Sequence, residues 1–364
     1  MGLRQILAIN PGSTSTKIAV YLNSKLIFLK SINHSVEELA KFEKIVDQYS
    51  FRKNIILEEL RYAHIEIDKI EIVVGRGGIL KPIKSGVYAI NERMKEDLRE
   101  GFLGEHASSL GGLIADDIAK SLPDAQAYIA DPVVVDEMEE VARIAGHPDF
   151  KRVSIFHALN QKATARSYAR LLNKKYEDLN LIIAHMGGGI SIGAHERGRV
   201  VDVNNALDGE GPFSPERTGT LPSGQLIKKC FEEEVSLDQM KKLITGEGGL
   251  MAYFGTNSAY QIELMALEGD QKAILIQNAM SYQIAKYIAS MAAVLRGEVD
   301  AIILTGGIAN NPMVDEYIKK MVSWIAPVII YPGEDEMHAL AMNGLLVLKG
   351  EVIPKEYSEE NMIF

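Results

Sequence analysis

The stretch Leu7-Ala8-Ile9-Asn10-Pro11-Gly12-Ser13-Thr14-Ser15-Thr16-Lys17 decides the fold of this chain. An apolar run ends in a tight Pro-Gly turn, four hydroxyl residues and a lysine follow, and a second apolar run extends from Ile18 to Leu22. This pattern predicts a β-hairpin with a small, polar and cationic turn. Accessible backbone N–H groups and hydroxyls suit phosphate oxygens, although a surface hairpin rich in Ser and Thr has the same composition. The stretch is not a P-loop, because the Gly-Lys-Ser/Thr ending and the following helix are absent.

Composition narrows the class of protein. A length of 364 residues favours two domains, and a formal net charge of −10 argues against nucleic acid as a partner. The single cysteine, Cys230, excludes an intrachain disulfide and a thiolate metal cluster, and it fits a reducing cytoplasm. No signal peptide and no apolar run long enough to cross a bilayer is visible. We therefore expect a cytoplasmic protein that binds neither nucleic acid nor membrane.

Periodicity predicts strands and helices along the chain. Three short strands occupy residues 3–31, and further buried strands lie at Glu71–Val74, Ala125–Ala130, Val153–Phe156, Leu181–Ala184, Val200–Val203 and Ala301–Leu304. Helices are predicted over residues 35–65 with a break near Ser50, and over 91–101, 106–121, 270–296 and 335–350.

The second half of the chain repeats the plan of the first. Leu181–Ala184 runs into His185-Met186-Gly187-Gly188-Gly189, as the first strand runs into its Pro-Gly turn, and Ala301–Leu304 runs into Thr305-Gly306-Gly307. This repeat predicts two similar α/β domains with a cleft between them, at residues 1–152 and 153–350. A tail at 351–364 is expected to pack back on the first domain. The extra length of the second half, Asp208 to about Tyr260, is rich in Gly and Pro.

Two arginines are candidates for binding an anion. Arg76 lies between glycines directly after a predicted strand, and Arg217 lies in the ordered-looking loop Gly209–Gly224. An arginine without bulky neighbours can bind a phosphate or carboxylate in a bidentate manner, although a surface arginine in a turn is the alternative. Loops of this length in compact domains are usually functional or disordered, and the Pro content favours order.

Histidines and acids offer further candidates. The spacing of His106, His157, His185 and His195 matches no metal motif. For His106 and His157, each at the start of a predicted helix, a core or capping role is the alternative to a functional one. His195 is expected to be a strand residue near a turn. Asp131 follows a predicted strand, and Glu334-Asp335-Glu336 opens the last predicted helix. Such carboxylates can bind Mg²⁺ beside phosphates. The alternatives are a turn residue for Asp131 and, for the other three acids, a favourable interaction with the helix dipole. Thr305–Asn310 could pack against adenine and ribose. No Gly-x-Ser-x-Gly elbow is present.

These motifs together resemble those of the acetate/butyrate kinases, within the sugar kinase–Hsp70–actin superfamily of duplicated nucleotide-binding folds. The matching segments keep the family's order and cover about residues 5–345: Ala8–Lys17, Gly75–Gly78, Phe156–Ala158, His185–Ser191, Glu216–Gly219 and Leu304–Ala309. The Asn-Pro-Gly-Ser-Thr-Ser-Thr-Lys run and the Arg-Thr-Gly loop are more similar to butyrate kinases than to acetate kinases. The resemblance departs at Gly188, where acetate kinases have Asn, and at Pro132, where they have Thr.

The resemblance implies a duplicated actin-like ATPase fold and a role for each matching residue. The phosphate being transferred would be surrounded by Asn10, Ser13, Ser15 and Lys17. The catalytic set would be Arg76, Arg217, His157, Asp131 and, as a further histidine near the phosphate, His106. The nucleotide would be bound by His185, Gly187, Gly188, Gly189, Thr305, Gly306, Gly307, Ile308 and Asn310. Mg²⁺ would be held by Asp131 and by one acid of Glu334-Asp335-Glu336.

The implied activity is reversible phosphoryl transfer between ATP and a short aliphatic carboxylate, of the butyrate or isobutyrate type, by direct in-line displacement. The cofactors would be ATP/ADP and Mg²⁺, and the family suggests a homo-oligomer, at least a dimer. Two alternatives stay open at this point. A sugar or polyol kinase of the same superfamily would use Asp131 as a base for a hydroxyl. A nucleotide-dependent binding protein would need a peptide-binding appendage or filament surfaces.

Overall fold

The computed structural model describes residues 4–101, 106–233 and 235–363. Short alternating or continuous apolar runs form the strands, as their periodicity predicts. The strands are β1 (Gln5–Pro11), β2 (Ser15–Leu22), β3 (Lys25–Asn33), β4 (Ile70–Arg76), β5 (Val87–Ala89), β6 (Gln126–Ala130), β7 (Asn180–Met186), β8 (Ile190–Glu196), β9 (Arg199–Val203), β10 (Ala301–Gly306), β11 (Val328–Pro332) and β12 (Lys355–Glu356).

The helices range from one turn to nearly seven turns. They are α1 (Val36–Leu39), α2 (Tyr49–Tyr62), α3 (Glu92–Glu100), α4 (Ser109–Lys120), α5 (Glu140–Arg143), α6 (Ala158–Leu171), α7 (Ser223–Glu232), α8 (Leu237–Thr245), α9 (Gly249–Phe254), α10 (Ala259–Leu267), α11 (Gln271–Val294), α12 (Pro312–Val322) and α13 (Glu336–Leu348). In the described part of the chain, no helix has both the length and the apolar character that a membrane span needs.

The first compact unit comprises Met1–Asp136 and Asp335–Phe364. Its seven-stranded sheet has the order β12-β5-β6-β4-β1-β2-β3, in which β1 is antiparallel to β2 and parallel to β4. One sheet face packs on α2 and α4, and the other packs on α13, where Gly344 lies against Ile72 and Val74. Both faces are covered, which is why the central strands are apolar without interruption.

The second unit comprises Glu137–Glu334. Its five-stranded sheet has the order β11-β10-β7-β8-β9. Ile182 and Leu304 on one face belong to a core cluster with α11 and α12, whereas Ile183 and Ile303 on the other face pack on residues of α6. The alternation of neighbouring residues between two covered faces again explains the continuous apolar strands.

The two sheets share one topology. The order β3-β2-β1-β4-β6 in the first unit corresponds to β9-β8-β7-β10-β11 in the second, with the same two antiparallel and two parallel pairings. The predicted duplication of an α/β plan is therefore confirmed. In open sheets of this kind ligands bind at the carboxyl ends of parallel strands. The chain has such an edge in each unit, at β1/β4 and at β7/β10.

Three details differ from the sequence prediction. The predicted strand Val153–Phe156 does not form. The nearest strand-like pairing is an isolated β-bridge between Ile144 and Lys151, and residues 153–156 follow it without a partner strand. The break in the first helical region lies at residues 40–44, and α2 runs on through Ser50. The units divide at 136/137 and 334/335, whereas the prediction divided the chain at 152/153 and placed residues 335–350 in the second domain.

Candidate active site

Three polar side chains meet at the carboxyl edge of β1 and β4 in the first unit. Arg76 ends β4, and its guanidinium binds Glu336 in a bidentate manner, with Nη2 3.0 Å from Oε1 and Nη1 3.1 Å from Oε2. Asn10 donates from Nδ2 to Glu336 Oε2 at 2.5 Å and accepts from Arg76 Nη1 at 3.2 Å. Asn10 and Glu336 are both buried. We call these three residues the Arg76 cluster.

The hairpin turn lies next to this cluster in the sequence. Asn10 and Lys17 are register partners across β1 and β2, which confirms the predicted hairpin. Ser13 and Lys17 are exposed and Ser15 is half-buried, so their polar atoms are accessible. The four residues proposed from the sequence to surround a phosphate thus belong to one hairpin.

A buried arginine that the sequence analysis missed lies under this turn. Arg52 on α2 donates to the carbonyl oxygens of Gly12 (2.7 Å), Ser13 (3.0 Å) and Ser15 (3.1 Å). It also donates to Gln48 Oε1, at 3.1 Å from Nε and 2.8 Å from Nη2. Burial lowers the pKa of Arg52 to about 10. A signal existed in the sequence, because the buried residues of α2 are 52, 56 and 60, so an arginine occupies a core position of the helical stripe.

The hydrogen bonds of Arg52 orient the turn. In a trans peptide the N–H points opposite to the C=O of the same peptide plane. Since the Gly12 and Ser13 carbonyls point to the guanidinium, the N–H groups of Ser13 and Thr14 point away from it. Neither N–H donates to another residue in the described part of the chain, and both residues are exposed. The turn therefore presents two backbone donors together with its hydroxyls.

The second unit has its own glycine turn at the carboxyl edge of β7 and β10. His185 pairs in register with Thr305, and the turn Gly187–Gly189 is closed by a hydrogen bond from the Gly187 N–H to the Gly189 carbonyl at 3.0 Å. At the end of β10, Gly306 has φ +91°, and a Cβ there would lie 2.4 Å from the Met186 carbonyl oxygen. Only glycine allows this approach of the two strand ends.

The segment after β10 continues this edge. Residues Gly307–Asn310 form a short 3₁₀ helix in which Asn310 Nδ2 donates to the Gly307 carbonyl at 2.9 Å. Ile308 is buried, whereas a Cβ on Gly307 would meet no atom within 4 Å. Thr305 Oγ1 donates to the Gly333 carbonyl at 3.3 Å. The predicted nucleotide residues of both strand ends are thus brought together within the second unit.

The three acids that open the last helix have different partners. Glu334 Oε1 lies 3.0 Å from His185 Nε2, and a Cβ on Gly187 would lie 2.7 Å from the same oxygen. Asp335 caps α13 by accepting from the His338 N–H at 3.0 Å. Glu336 belongs to the Arg76 cluster. The cap role of Asp335 leaves Glu334 and Glu336 as the acids next to predicted site residues.

Arg217 packs directly against the glycine turn. A Cβ on Gly189 would lie only 1.9 Å from Arg217 Nη1, and this Nη1 donates to the Ala206 carbonyl. Its Nε is buried and has no hydrogen-bond partner among the described residues. Burial lowers the pKa of Arg217. A cation with an unsatisfied donor, held away from water, is well suited to bind an anion.

His157 stands at the start of α6 and lies against His185. The two imidazole rings are stacked, with centroids 3.8 Å apart and planes 12° apart. His157 Nδ1 is 2.9 Å from Ser191 Oγ, and His185 Nδ1 is 2.8 Å from Asn160 Oδ1. The second unit therefore brings His157 and His185 together, and Arg217 packs against the glycine turn that follows His185.

Three further candidates are placed differently. Asp131 is buried with φ +38°, and its Oδ1 accepts from Ser85 Oγ at 2.5 Å and from the Gly86 N–H at 2.9 Å. His106 is exposed, and its Nδ1 lies 2.7 Å from Ser108 Oγ. His195 is a strand residue of β8 next to the turn at Arg197-Gly198, as expected, and its side chain is fully buried in a polar network.

The described residues contain no group of three or more His, Cys, Asp and Glu side chains that could hold a metal. Mg²⁺ in kinases is usually bound by one or two carboxylates together with substrate phosphates. Glu336 fits that mode of binding, because its carboxylate contacts Asn10 in the strand that leads into the hairpin turn at residues 11–14, here called the phosphate-type turn. A dedicated metal cage would not be expected at such a site.

The topology and this arrangement define a class: a duplicated α/β nucleotide-binding protein of the actin-like ATPase fold. Solved structures share the fold over nearly the whole chain. Acetate kinase from Porphyromonas gingivalis has a TM-score of 0.76 at 18% identity, covering 95% of this chain and 100% of its own. A propionate kinase from Francisella tularensis subsp. tularensis has a TM-score of 0.75 at 17% identity, covering 94% and 99%.

Sequence comparison identifies the family. Residues 151–325 match the model of the acetokinase family. The chain is 56% identical over 353 residues to butyrate kinase 2 of Clostridium acetobutylicum. This alignment covers 97% of this chain and 99% of the relative. The chain belongs to the acetokinase family. It is a phosphotransferase that uses ATP and has a carboxyl group as acceptor, and the expectations of fold, family and reaction class are confirmed.

Proposed function

We propose that this carboxylate kinase converts butyrate, or a branched acid such as isobutyrate, and ATP to the acyl phosphate and ADP, and also catalyses the ATP-forming reverse reaction. The observation that carries the choice of acyl chain is the 56% identity to a butyrate kinase over 97% of the chain. The Asn-Pro-Gly-Ser-Thr-Ser-Thr-Lys turn and the Arg-Thr-Gly loop favour the same branch of the family.

The chemistry needs charge stabilisation more than proton transfer. A carboxylate is already ionised near neutral pH, so no general base is required. Phosphoryl transfer passes through a loose transition state in which charge is spread over the three equatorial oxygens. A protein can accelerate such a step by positioning the two anions in line and by directing preorganised donors at the developing charge.

Each candidate residue has a donor suited to that task. We propose that Arg76 and Arg217 bind the acyl carboxylate and the equatorial oxygens, because one has a bidentate geometry and the other an unsatisfied buried Nε. His157 would donate a hydrogen bond to the phosphoryl group. Asn10, Ser13, Ser15 and Lys17 would surround the phosphate, with the Ser13 and Thr14 N–H groups as further donors. His106, which is exposed, enters as an additional donor.

The second unit would bind the nucleotide. His185 and Gly187–Gly189 would hold the β-phosphate, because this glycine turn closes without side chains that would block the backbone. Thr305, Gly306, Gly307, Ile308 and Asn310 would line the adenosine pocket. Gly307 has open space around it, and Ile308 supplies an apolar surface for a base.

Mg²⁺ is part of the proposal, with Glu336 and Glu334 as the carboxylates that would hold it. When bound, the ion would neutralise charge on the nucleotide phosphates. Asp131 would act on the ion through water, because Ser85 and Gly86 occupy its Oδ1. A homo-oligomer in the cytoplasm completes the proposal, as the resemblance to the family suggests.

A hydroxamate assay tests the proposed function. ATP, Mg²⁺ and hydroxylamine are incubated with acetate, propionate, butyrate, isobutyrate and isovalerate in parallel, and the acyl hydroxamates are quantified. We expect product to peak at four or five carbons. Acetate as the best substrate would keep the reaction class and contradict the butyrate branch, since one methylene is worth only about 1–3 kcal/mol of discrimination. ATP consumption with glycerol or hexoses, and none with acids, would favour a sugar kinase.

A further inference from the structure

A chain of buried polar side chains runs from the interior of the second unit to His157. Tyr176 Oη lies 2.6 Å from His195 Nδ1, and His195 Nε2 lies 2.9 Å from Gln161 Oε1. Gln161 Nε2 lies 2.8 Å from Ser191 Oγ, which lies 2.9 Å from His157 Nδ1. Tyr176, His195, Gln161 and Ser191 are all buried. We call these five residues the polar chain.

The orientation of the Gln161 amide follows from a backbone group. The Ser191 carbonyl lies 3.1 Å from Gln161 Nε2, and a carbonyl can only accept a hydrogen bond. The amide NH₂ of Gln161 must therefore face Ser191, which leaves Oε1 facing His195. As a result His195 Nε2 carries a proton and donates to Gln161.

The same reasoning determines the direction of the hydrogen bond between Tyr176 and His195. A neutral His195 with its proton on Nε2 accepts at Nδ1, so the Tyr176 hydroxyl donates to it. Complete burial, with the cations Lys162 and Arg166 nearby, lowers the pKa of His195 well below its ordinary value. His195 is therefore neutral, and the direction of every hydrogen bond up to Gln161 is determined.

The Ser191 hydroxyl connects Gln161 to His157. Its Oγ accepts from Gln161 Nε2 at 2.8 Å and from the His157 backbone N–H at 3.3 Å, which uses the two lone pairs of a hydroxyl. The hydroxyl proton is left for the third neighbour, His157 Nδ1 at 2.9 Å. His157 Nδ1 therefore accepts, and in the neutral ring the proton must be on Nε2.

We propose that Ser191 and Gln161 are positioning residues that hold His157 in the tautomer protonated on Nε2, so that this N–H is the donor offered to the phosphoryl group. The stacked His185 ring fixes the plane of the same imidazole. The inference about the tautomer rests on the contacts of the polar chain, and its catalytic meaning rests on the proposed function of His157. In the other tautomer, Nε2 would be an acceptor facing an anion.

Nitrogen NMR of the protein labelled with ¹⁵N-histidine tests the tautomer directly. Two-bond ¹H–¹⁵N correlations distinguish a protonated ring nitrogen from an unprotonated one, and the His157→Gln variant identifies the His157 signals by their loss. We expect an unprotonated Nδ1 and a protonated Nε2 in the neutral ring. A protonated Nδ1 in the wild-type protein would overturn the proposal.

Substitutions at Gln161 separate positioning from packing. Gln161→Glu replaces the amide donor by an acceptor, so the Ser191 hydroxyl should turn to the new carboxylate and the proton of His157 should move to Nδ1. Gln161→Met removes the amide but leaves the Ser191 hydroxyl to His157, so the tautomer should stay as in the wild type. Identical His157 spectra for the two variants would contradict the proposed direction of the hydrogen bonds, whatever their stability.

Kinetics then connect the tautomer to the reaction. Gln161→Glu and Ser191→Ala should each lower kcat by about 10²-fold, as for loss of one transition-state donor, with KM for ATP and butyrate changed less than about threefold. Ser281→Ala is the matched control, because Ser281 is also buried in the second unit and donates only within its own helix. A His157→Gln variant with normal kcat would refute the proposed role of His157 while leaving the tautomer measurement valid.

Discussion

At the scale of single residues, the pairing of Arg76 with Glu336 has a direct consequence for binding. The guanidinium already binds a carboxylate in a bidentate manner, and that carboxylate belongs to the protein. If Arg76 binds an acyl carboxylate or a phosphate oxygen, as proposed, that anion must displace Glu336 or share Arg76 with it. A cation that draws Glu336 away would release Arg76, which connects the proposed Mg²⁺ ligand with the proposed anion site.

Arg76→Ala should lower kcat by about 10²-fold or more, because one charge-assisted donor is removed from the transition state. Arg76→Lys should recover little, since an ammonium cannot reproduce the bidentate geometry. Initial rates of acyl hydroxamate formation measure both variants. Arg61→Ala, at an exposed arginine of the same unit, is the control. Near-normal turnover of Arg76→Ala would refute the assignment.

Gly189→Ala should act on the reaction through Arg217. The added methyl group would lie 1.9 Å from Arg217 Nη1, so the guanidinium must move away from the glycine turn. We expect kcat to fall by roughly 10-fold to 10²-fold, in the direction of an Arg217→Ala variant. Gly224→Ala is a matched control, because a Cβ there meets no atom within 4 Å.

A double variant, Gly189→Ala with Arg217→Ala, checks that explanation of the glycine. If the methyl group acts only by displacing Arg217, the double variant should be no slower than Arg217→Ala alone. Additive losses would mean that Gly189 has a separate function in the turn.

At the scale of elements, helix α2 supports the phosphate-type turn through Arg52. Three carbonyl groups of one turn bond to one guanidinium, and no described carboxylate is among its hydrogen-bond or ion-pair partners. The positive charge therefore remains uncompensated by an acid beneath a turn that is proposed to bind phosphate. Geometry and charge of the turn both depend on a residue 40 positions from Gly12.

Arg52→Met should lower the free energy of unfolding by roughly 3 kcal/mol, because three carbonyl groups of the turn and the buried Gln48 side chain lose their donor. It should also raise KM for ATP or lower kcat, because the turn is no longer held. Arg52→Lys should restore part of the stability with fewer hydrogen bonds. Urea unfolding and steady-state kinetics measure the two effects. A stable Arg52→Met variant with wild-type kinetics would contradict this role of α2.

Helix α12 carries a buried acid whose charge opposes folding. Asp315 is buried, its Oδ1 has no hydrogen-bond partner in the described part of the chain, and burial with the nearby Glu316 raises its pKa to about 7. A carboxyl whose pKa is higher in the folded state binds more protons there than in the unfolded chain. Stability is therefore lost as the pH rises from about 4 to about 7.

Asp315→Asn should increase the free energy of unfolding at pH 8 by roughly 2 kcal/mol, and the gain should shrink at pH 5, where the wild-type carboxyl is mostly protonated. Urea unfolding at the two pH values tests this expectation. Asp124→Asn, at an exposed aspartate, should show no such dependence. A gain that is equal at both pH values would contradict the argument.

The sequence was a good guide to elements and a poor guide to the contacts between them. Strand ends rich in glycine marked the repeat, because a close approach such as that of Gly306 to Met186 leaves a visible pattern. The roles of Ser191 and Gln161 could not be predicted from the sequence, since they depend on how helix α6 packs against strand β8. Val153–Phe156 looked like a strand because apolar residues also fill positions that have no partner strand.

At the scale of the whole molecule, the two sheets have five strands in the same order, but the proposal gives their two units different functions. The first unit offers the Arg76 cluster and an oriented hairpin turn, which suit the acceptor and the phosphate. The second unit offers a glycine turn, the stacked histidines and Arg217, which suit the nucleotide and the charge in transfer. Membership in the acetokinase family gives the reaction class, and the named contacts give the residue roles to be tested.

The most direct test of the central claim is ³¹P NMR of a reaction that contains the protein, ATP, Mg²⁺ and butyrate. We expect an acyl phosphate signal that grows in step with ADP, without an equal release of inorganic phosphate. The same mixture without butyrate should leave ATP unchanged. Formation of ADP and inorganic phosphate alone, or no consumption of ATP by the folded protein, would contradict the claim that this chain phosphorylates butyrate.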